Sequence, residues 1–211
     1  EKVMKQPLIL IGASAALALA PVSAAELIGP WNIVDAPDSA SLVAGGGGTF
    51  DWLNVVNAPV TISEAFTGFS IIDDGYANAP AGTTIEVGFS GGVTNTAGPD
   101  VVLFDGRYDD GAYTIATDFD GFGFSLGVSG WIDSGEDRDY YYAGTGPFAA
   151  DVWGAEIDLS DLGVPMGQTV NAFRFTTTNA AGDPLGLGAL PAPGAATILL
   201  AGLLAGRRRR R

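Results

Sequence analysis

The chain has 211 residues, 24 acidic against 10 basic side chains, a formal net charge of −14, and neither histidine nor cysteine. Without cysteine there is no disulfide framework, thiolate metal site or thiol nucleophile, and without histidine there is no Ser-His-Asp triad or imidazole ligand. Most basic residues sit at the two ends, and between Glu26 and Ala189 only Arg107, Arg138 and Arg174 oppose every acid except Glu1. Nucleic acid and anionic membrane surfaces are therefore poor partners, and with no lysine in that stretch Schiff-base chemistry has no amine.

At the N-terminus, Lys2 and Lys5 precede the apolar residues Leu8 to Ile11 and Ala13 to Ala20. Small residues then lead to Ala24 and Ala25. A positive region, an apolar region and a small-residue cleavage site read as a secretory signal helix over residues 1–25, with Met4 as the start and cleavage after Ala24 or Ala25. Export machinery and signal peptidase are the partners this implies.

Residues 26–48 are rich in Gly, Pro and Ser and end in four glycines, so they read as a flexible segment with Trp31 to Val34 as a first edge strand. The body is expected over residues 49–180. Thr49 to Val56, Val60 to Ser63 and Ala65 to Ile72 read as β-like runs. Thr83 to Phe89 alternates at period two, Val101 to Phe104 is a continuous apolar run, and Tyr113 to Thr117 alternates again. Phe122, Phe124, Leu126 and Val128 form the cleanest alternation and predict a strand. Ala155 to Leu159 and Val170 to Thr178 close the series, with Ala172, Arg174 and Thr176 facing away from Phe173 and Phe175. Ser160 to Gly163 suits one helical turn. Short strands punctuated by Gly, Asp, Asn and Pro, with no amphipathic helix between the ends, predict an all-β antiparallel sandwich, preferably of jelly-roll winding.

Residues 181–189 read as a linker. From residue 190 onwards comes Pro191-Ala192-Pro193-Gly194, then an apolar run to Gly206, then Arg207, Arg208, Arg209, Arg210 and Arg211. The run from Ala195 to Gly206 makes a helix of about 18 Å, short of a hydrocarbon core of about 30 Å. Arginines after an apolar segment stay on the cytoplasmic side, so the tail reads as a transient anchor with a membrane stop.

Three groups of side chains are candidates for chemistry. Asp105, Asp109, Asp110, Asp118 and Asp120, with Asp100 beside them, are hard oxygen donors on Gly-bearing loops, and calcium is the cofactor such donors would take. Tight-turn chemistry accounts for the same residues equally. Asp133, Glu136, Asp137 and Asp139 form a second acidic group. Trp131 with Tyr140, Tyr141 and Tyr142 offers rings to a saccharide, although packing is the commoner fate of a tryptophan. A carboxylate pair of the glycosidase kind has no residue that marks it.

The C-terminal layout resembles the PEP-CTERM sorting signal of exosortase-processed proteins in Gram-negative bacteria, with Pro191-Ala192-Pro193 where that family carries Pro-Glu-Pro. Two internal stretches, Ala97 to Asp105 and Glu156 to Val170, are similar to segments of passenger domains in such proteins, which look like galactose-binding-type sandwiches. The resemblance implies transient anchoring in the inner membrane, processing by an exosortase-like protease, and release to the outer surface or extracellular matrix. The expected function is that of a non-enzymatic structural or adhesive surface protein, with extracellular polysaccharide as a partner. The alternatives are a carbohydrate-binding module and a carboxylate-based polysaccharide hydrolase.

Overall fold

The computed structural model describes residues 26–45, 61–68, 79–107, 111–142, 145–179 and 182–192. The signal and sorting segments expected at the two ends, including Ala24, Ala25, Pro193, Gly194 and the five terminal arginines, lie outside them. So does the run from Thr49 to Val56.

The strands are β1 (Glu26–Ile28), β2 (Trp31–Ile33), β3 (Ser39–Ala44), β4 (Thr84–Thr94), β5 (Val101–Arg107), β6 (Tyr113–Thr117), β7 (Ser125–Gly127), β8 (Ile132–Tyr142), β9 (Thr145–Ile157), β10 (Thr169–Thr177) and β11 (Pro184–Ala189). One sheet has the order β3-β4-β10-β6-β7, the other β11-β5-β9-β8, and β1-β2 is a separate hairpin. Every pairing is antiparallel. The chain changes sheet between β4 and β5, β5 and β6, β7 and β8, β9 and β10, and β10 and β11. The architecture is an antiparallel β-sandwich with the jelly-roll style of winding that the strand pattern predicts.

Period-two alternation accounts for the core. Ile85, Val87 and Phe89 of β4, Ile115 of β6 and Phe173 and Phe175 of β10 point inward from the five-stranded sheet, against Val101, Leu103, Ile157 and Leu187 of the other. Phe89 meets Phe173 edge to face at 5.7 Å between ring centroids. β5 is apolar on both faces because both are covered. Val102 and Phe104 point outward and are sealed by Ile28, Trp31 and Ile33 of the β1–β2 hairpin.

That hairpin contains the strand expected at Trp31, and it corrects the expectation that the chain around that strand is flexible. Its Gly-Pro pair is a tight turn, Gly29 taking φ +53° and donating its N–H to Glu136 Oε1 at 2.9 Å. Trp31 lies over Gly154, where a Cβ would collide with the indole, and donates Nε1–H to Glu156 Oε1 at 2.9 Å. Most of the expected linker over residues 181–189 is likewise a strand, β11. Leu185, Leu187 and Ala189 of β11 are buried, and its two glycines dilute the hydrophobic signal in the sequence. Ile62 and Ser63, read as part of a strand, belong to helix α1 (Ile62–Phe66). Thr61 and Glu64 form a capping box there, Glu64 N–H donating to Thr61 Oγ1 at 3.2 Å and Thr61 N–H to Glu64 Oε2 at 2.8 Å. That reciprocal pair satisfies two donors that a helix otherwise leaves open. Ser160 to Gly163 makes the expected single turn, with i to i+3 bonds such as Leu162 N–H to Leu159 O at 3.1 Å.

Trp31→Ala removes the ring that seals the outer face of β5. Urea denaturation of this variant is expected to show a loss of about 3–5 kcal/mol, the range for a buried large-to-small change.

Candidate functional site

Arg174 is the central side chain on the outer face of the five-stranded sheet. Strand alternation dictates this, since Phe173 and Phe175 on either side are buried. Across the sheet its register neighbours are Glu86 on β4 and Ala116 on β6, and beyond them Ser41 on β3 and Ser125 on β7. Apart from Glu86 these are small, so the guanidinium stands over a low surface. Its Nε–H donates to Glu86 Oε2 at 2.7 Å, and each side chain of the pair is about one-third exposed (34% and 32%). A cross-strand pair of this kind stabilises a sheet by up to about 1 kcal/mol.

The segment after β6 closes over this arginine. Asp118–Asp120 forms a 3-10 turn ended by Gly121, and the carboxylate of Asp118 accepts the Asn171 N–H of β10 at 3.0 Å. Asp120 Oδ1 accepts Gly123 N–H at 3.1 Å. Between these two anchors Phe122 sits at φ +65°, the left-handed conformation, and its ring lies 3.8 Å from the Arg174 guanidinium. A left-handed non-glycine residue costs roughly 1–2 kcal/mol, and a cation–π contact at an exposed site returns about 0.5–1 kcal/mol. Phe119 and Phe124 flank it at 44% and 50% exposure. Scattered exposed rings are ordinary on a protein surface. Here three phenylalanines lie within six residues, Phe119 and Phe124 exposed and Phe122 in a strained backbone with its ring on an arginine.

This corrects the expected strand from Phe122 to Val128. β7 covers only Ser125–Gly127, and Phe124 faces solvent. The alternating phenylalanines produced a β-period signal, but Gly121 and Gly123 are interleaved with them. The density of Asp and Gly from Asp118 to Gly123 was the sign of a turn.

Asp105 and Asp118, two of the proposed calcium residues, stand apart. Asp105 accepts the Tyr113 hydroxyl at 3.0 Å and Asp183 N–H at 2.9 Å through the same Oδ1. Tyr113 opens β6 and Asp118 follows its end, so five residues at about 3.3 Å each put Asp118 roughly 16 Å farther along the strand. Asp109 and Asp110 lie outside the described residues. Among the described residues no group of three or more His, Cys, Asp or Glu is arranged to hold a metal ion. Asp100 is structural: Oδ1 accepts Thr96 N–H at 2.8 Å and Oδ2 accepts Leu159 N–H at 3.1 Å.

Trp131 is half-buried and meets Tyr113 edge to face at 5.8 Å, so it packs on the rim of the core. Tyr140, Tyr141 and Tyr142 end β8, with Tyr140 paired to Phe148 and Tyr142 to Thr145. Pro191 and Ala192 follow β11 as irregular chain. Register also places Asp105, Trp153 and Asp133 in one row on the inner face of the four-stranded sheet, with Asp151 and Asp137 opposed in the next. The hydrogen bond that the protonated Asp151 carboxyl donates to Asp137 raises its pKa above the ordinary carboxylate range, and the negative charges of Asp137 and Asp133 add to the rise. Burial pushes Asp105 well above that range, against the bond from Tyr113, and nearby Asp183 adds to the rise. Its Oδ2 has no hydrogen-bond partner among the described residues, as suits a neutral carboxyl.

No family model and no curated protein matches this chain. It is similar to a solved structure described as Xyl-CBM35 in complex with a glucuronic acid containing disaccharide, at 16% identity, covering 74% of this chain and 94% of that one, with a TM-score of 0.30.

Because the folded state holds Asp105 protonated, the stability this provides is complete below the unfolded value of about 3.9 and is lost as pH rises through the elevated native value. Asp105→Asn keeps the oxygen that accepts from Tyr113 and Asp183 but has no proton to lose. In thermal melts its Tm is expected to gain on that of the unsubstituted protein progressively from about pH 4 to pH 8.

Proposed function

We propose that this protein is an exported, non-enzymatic β-sandwich of the cell surface or extracellular matrix that binds polysaccharide through the platform of Arg174, Glu86, Phe119, Phe122 and Phe124. The observation that carries the reading is Phe122, which holds an unfavourable backbone conformation to lay its ring on Arg174. Strain retained at a surface position, with no core packing to offset it, belongs to sites that work. Exposed rings stack on the C–H faces of sugars, and a fixed guanidinium beside a carboxylate supplies donors and acceptors for hydroxyl groups.

Binding fits the carboxylates better than hydrolysis does. A glycosidase separates its two carboxyl groups by about 5 Å or more, whereas Asp137 and Asp151 are in direct hydrogen-bond contact. Asp105, the other carboxyl with a raised value, is 0% exposed and cannot touch a substrate. The export route rests on the signal-like N-terminus and the Pro-x-Pro, apolar, arginine-ended C-terminus. Processing at both ends then leaves the acidic sandwich as the mature protein.

Two measurements test this. Affinity electrophoresis through gels containing mixed-linkage β-glucan or galactomannan should retard the protein, and Phe119→Ala/Phe124→Ala should weaken that retardation about tenfold or more, a loss of about 1.4 kcal/mol or more. Both rings are exposed, so the Tm should hardly move; undiminished retardation of the double variant would remove the platform. Intact mass of the protein from its native cells should lack residues 1–25 and the five arginines, and a mass that retains them would overturn the export route.

A further inference from the structure

We infer that the platform selects uncharged hexose polymers and discriminates against uronate-bearing ones. This rests on the saccharide reading above and follows from what surrounds Arg174. The guanidinium is committed through Nε to Glu86 Oε2 at 2.7 Å and through its face to the Phe122 ring. Its remaining N–H groups and the second oxygen of Glu86 take no partner among the described residues. One side of the pair donates and the other accepts. Neighbouring sugar hydroxyls, each able to do both, satisfy the two together.

A carboxylate is served less well. To reach Arg174 it must lie beside Glu86, where the cation is already paired. Asp118 and Asp120 add two negative charges on the turn that carries the rings. Glu86 and Arg174 cancel, so the platform with its turn is net acidic. The other two arginines of the central body stand on the opposite sheet, Arg107 on β5 and Arg138 on β8, and the body as a whole is strongly acidic. A polyanion is repelled both locally and by the field of the whole molecule, while an uncharged chain feels neither effect. The small, exposed residues Ser41 and Ser125 keep the surface beside the pair low, so that a flat sugar chain can approach it.

The test is isothermal titration of the mature-length protein with four polymers: mixed-linkage β-glucan, galactomannan, alginate and polygalacturonate. At low ionic strength at least one of the two neutral polymers is expected to bind about tenfold or more tightly than both uronate polymers, the order of effect of one or two unscreened charges. Raising the salt to about 0.5 M should narrow the gap, because screening reaches a few ångströms there. Glu86→Gln should narrow it at low salt by strengthening the uronate polymers. Uronate polymers binding as tightly as the neutral ones, with Phe119→Ala/Phe124→Ala weakening both, overturns the selectivity and leaves the platform standing. No heat with any of the four removes the platform reading itself.

Discussion

The hydroxyl of Tyr113 reaches across the sandwich from β6 to the carboxyl of Asp105 on β5. This polar bond joins the two sheets inside the core, and much of one end of the fold is arranged about it. The same carboxyl oxygen accepts the N–H of Asp183, so the chain leading into β11 is tied to β5 at that point. Trp131 packs against the Tyr113 ring and brings the entry to β8 with it. A buried carboxyl so placed has to be neutral, because an isolated charge there would cost far more than two hydrogen bonds return. The protonation of one aspartate is thus coupled to the register of strands from both sheets.

The second constraint is that neither face of β5 is wet. Its inward residues meet the five-stranded sheet, and its outward residues meet the β1–β2 hairpin. The hairpin is short, and a free hairpin is marginal in water. It is held by Trp31, which combines an edge-to-face contact with Phe104, close approach to the Gly154 backbone and a bond to Glu156. The hairpin covers the outer face of β5 in the four-stranded sheet, while Arg174 and the Phe122 ring lie on the outer face of the other sheet.

On that open sheet the surface is made by residues that need not pack. Arg174 and Glu86 are placed by alternation, and the small side chains beside them keep the face low. The turn from Asp118 to Phe124 is tied to β10 by Asp118 and to itself by Asp120. Two aspartates that resemble ligands for a cation therefore act as anchors for aromatic rings. Asp120 accepts from the backbone of the turn itself, which is how Asp serves loops generally, and Asp118 accepts from the neighbouring strand.

The all-β class and several strands were legible in the residues themselves. Period-two alternation in Thr84 to Phe89, Tyr113 to Thr117 and Val170 to Thr177 reflects a sheet with one buried face, and that pattern is a local property of the chain. Even the outward direction of Arg174 follows from its neighbours. Other features were not legible because the energy that decides them is not local. β11 is rich in glycine and forms a strand because β5 and the hairpin bury it. Residues 26–30 look like a flexible leader to the strand at Trp31, and the hairpin they form with it is fixed by surface supplied from β5 and β9. Phe122 and Phe124 carry a strand's period but fold into a turn, because Asp120 captures the Gly123 N–H within the segment and Asp118 ties its start to β10. Sequence alone determined the acidic, histidine-free and cysteine-free chemistry, because composition does not depend on folding. Only the tertiary structure decided which carboxyls are buried, paired or exposed, and which rings meet the arginine, because those outcomes depend on residues distant in the chain.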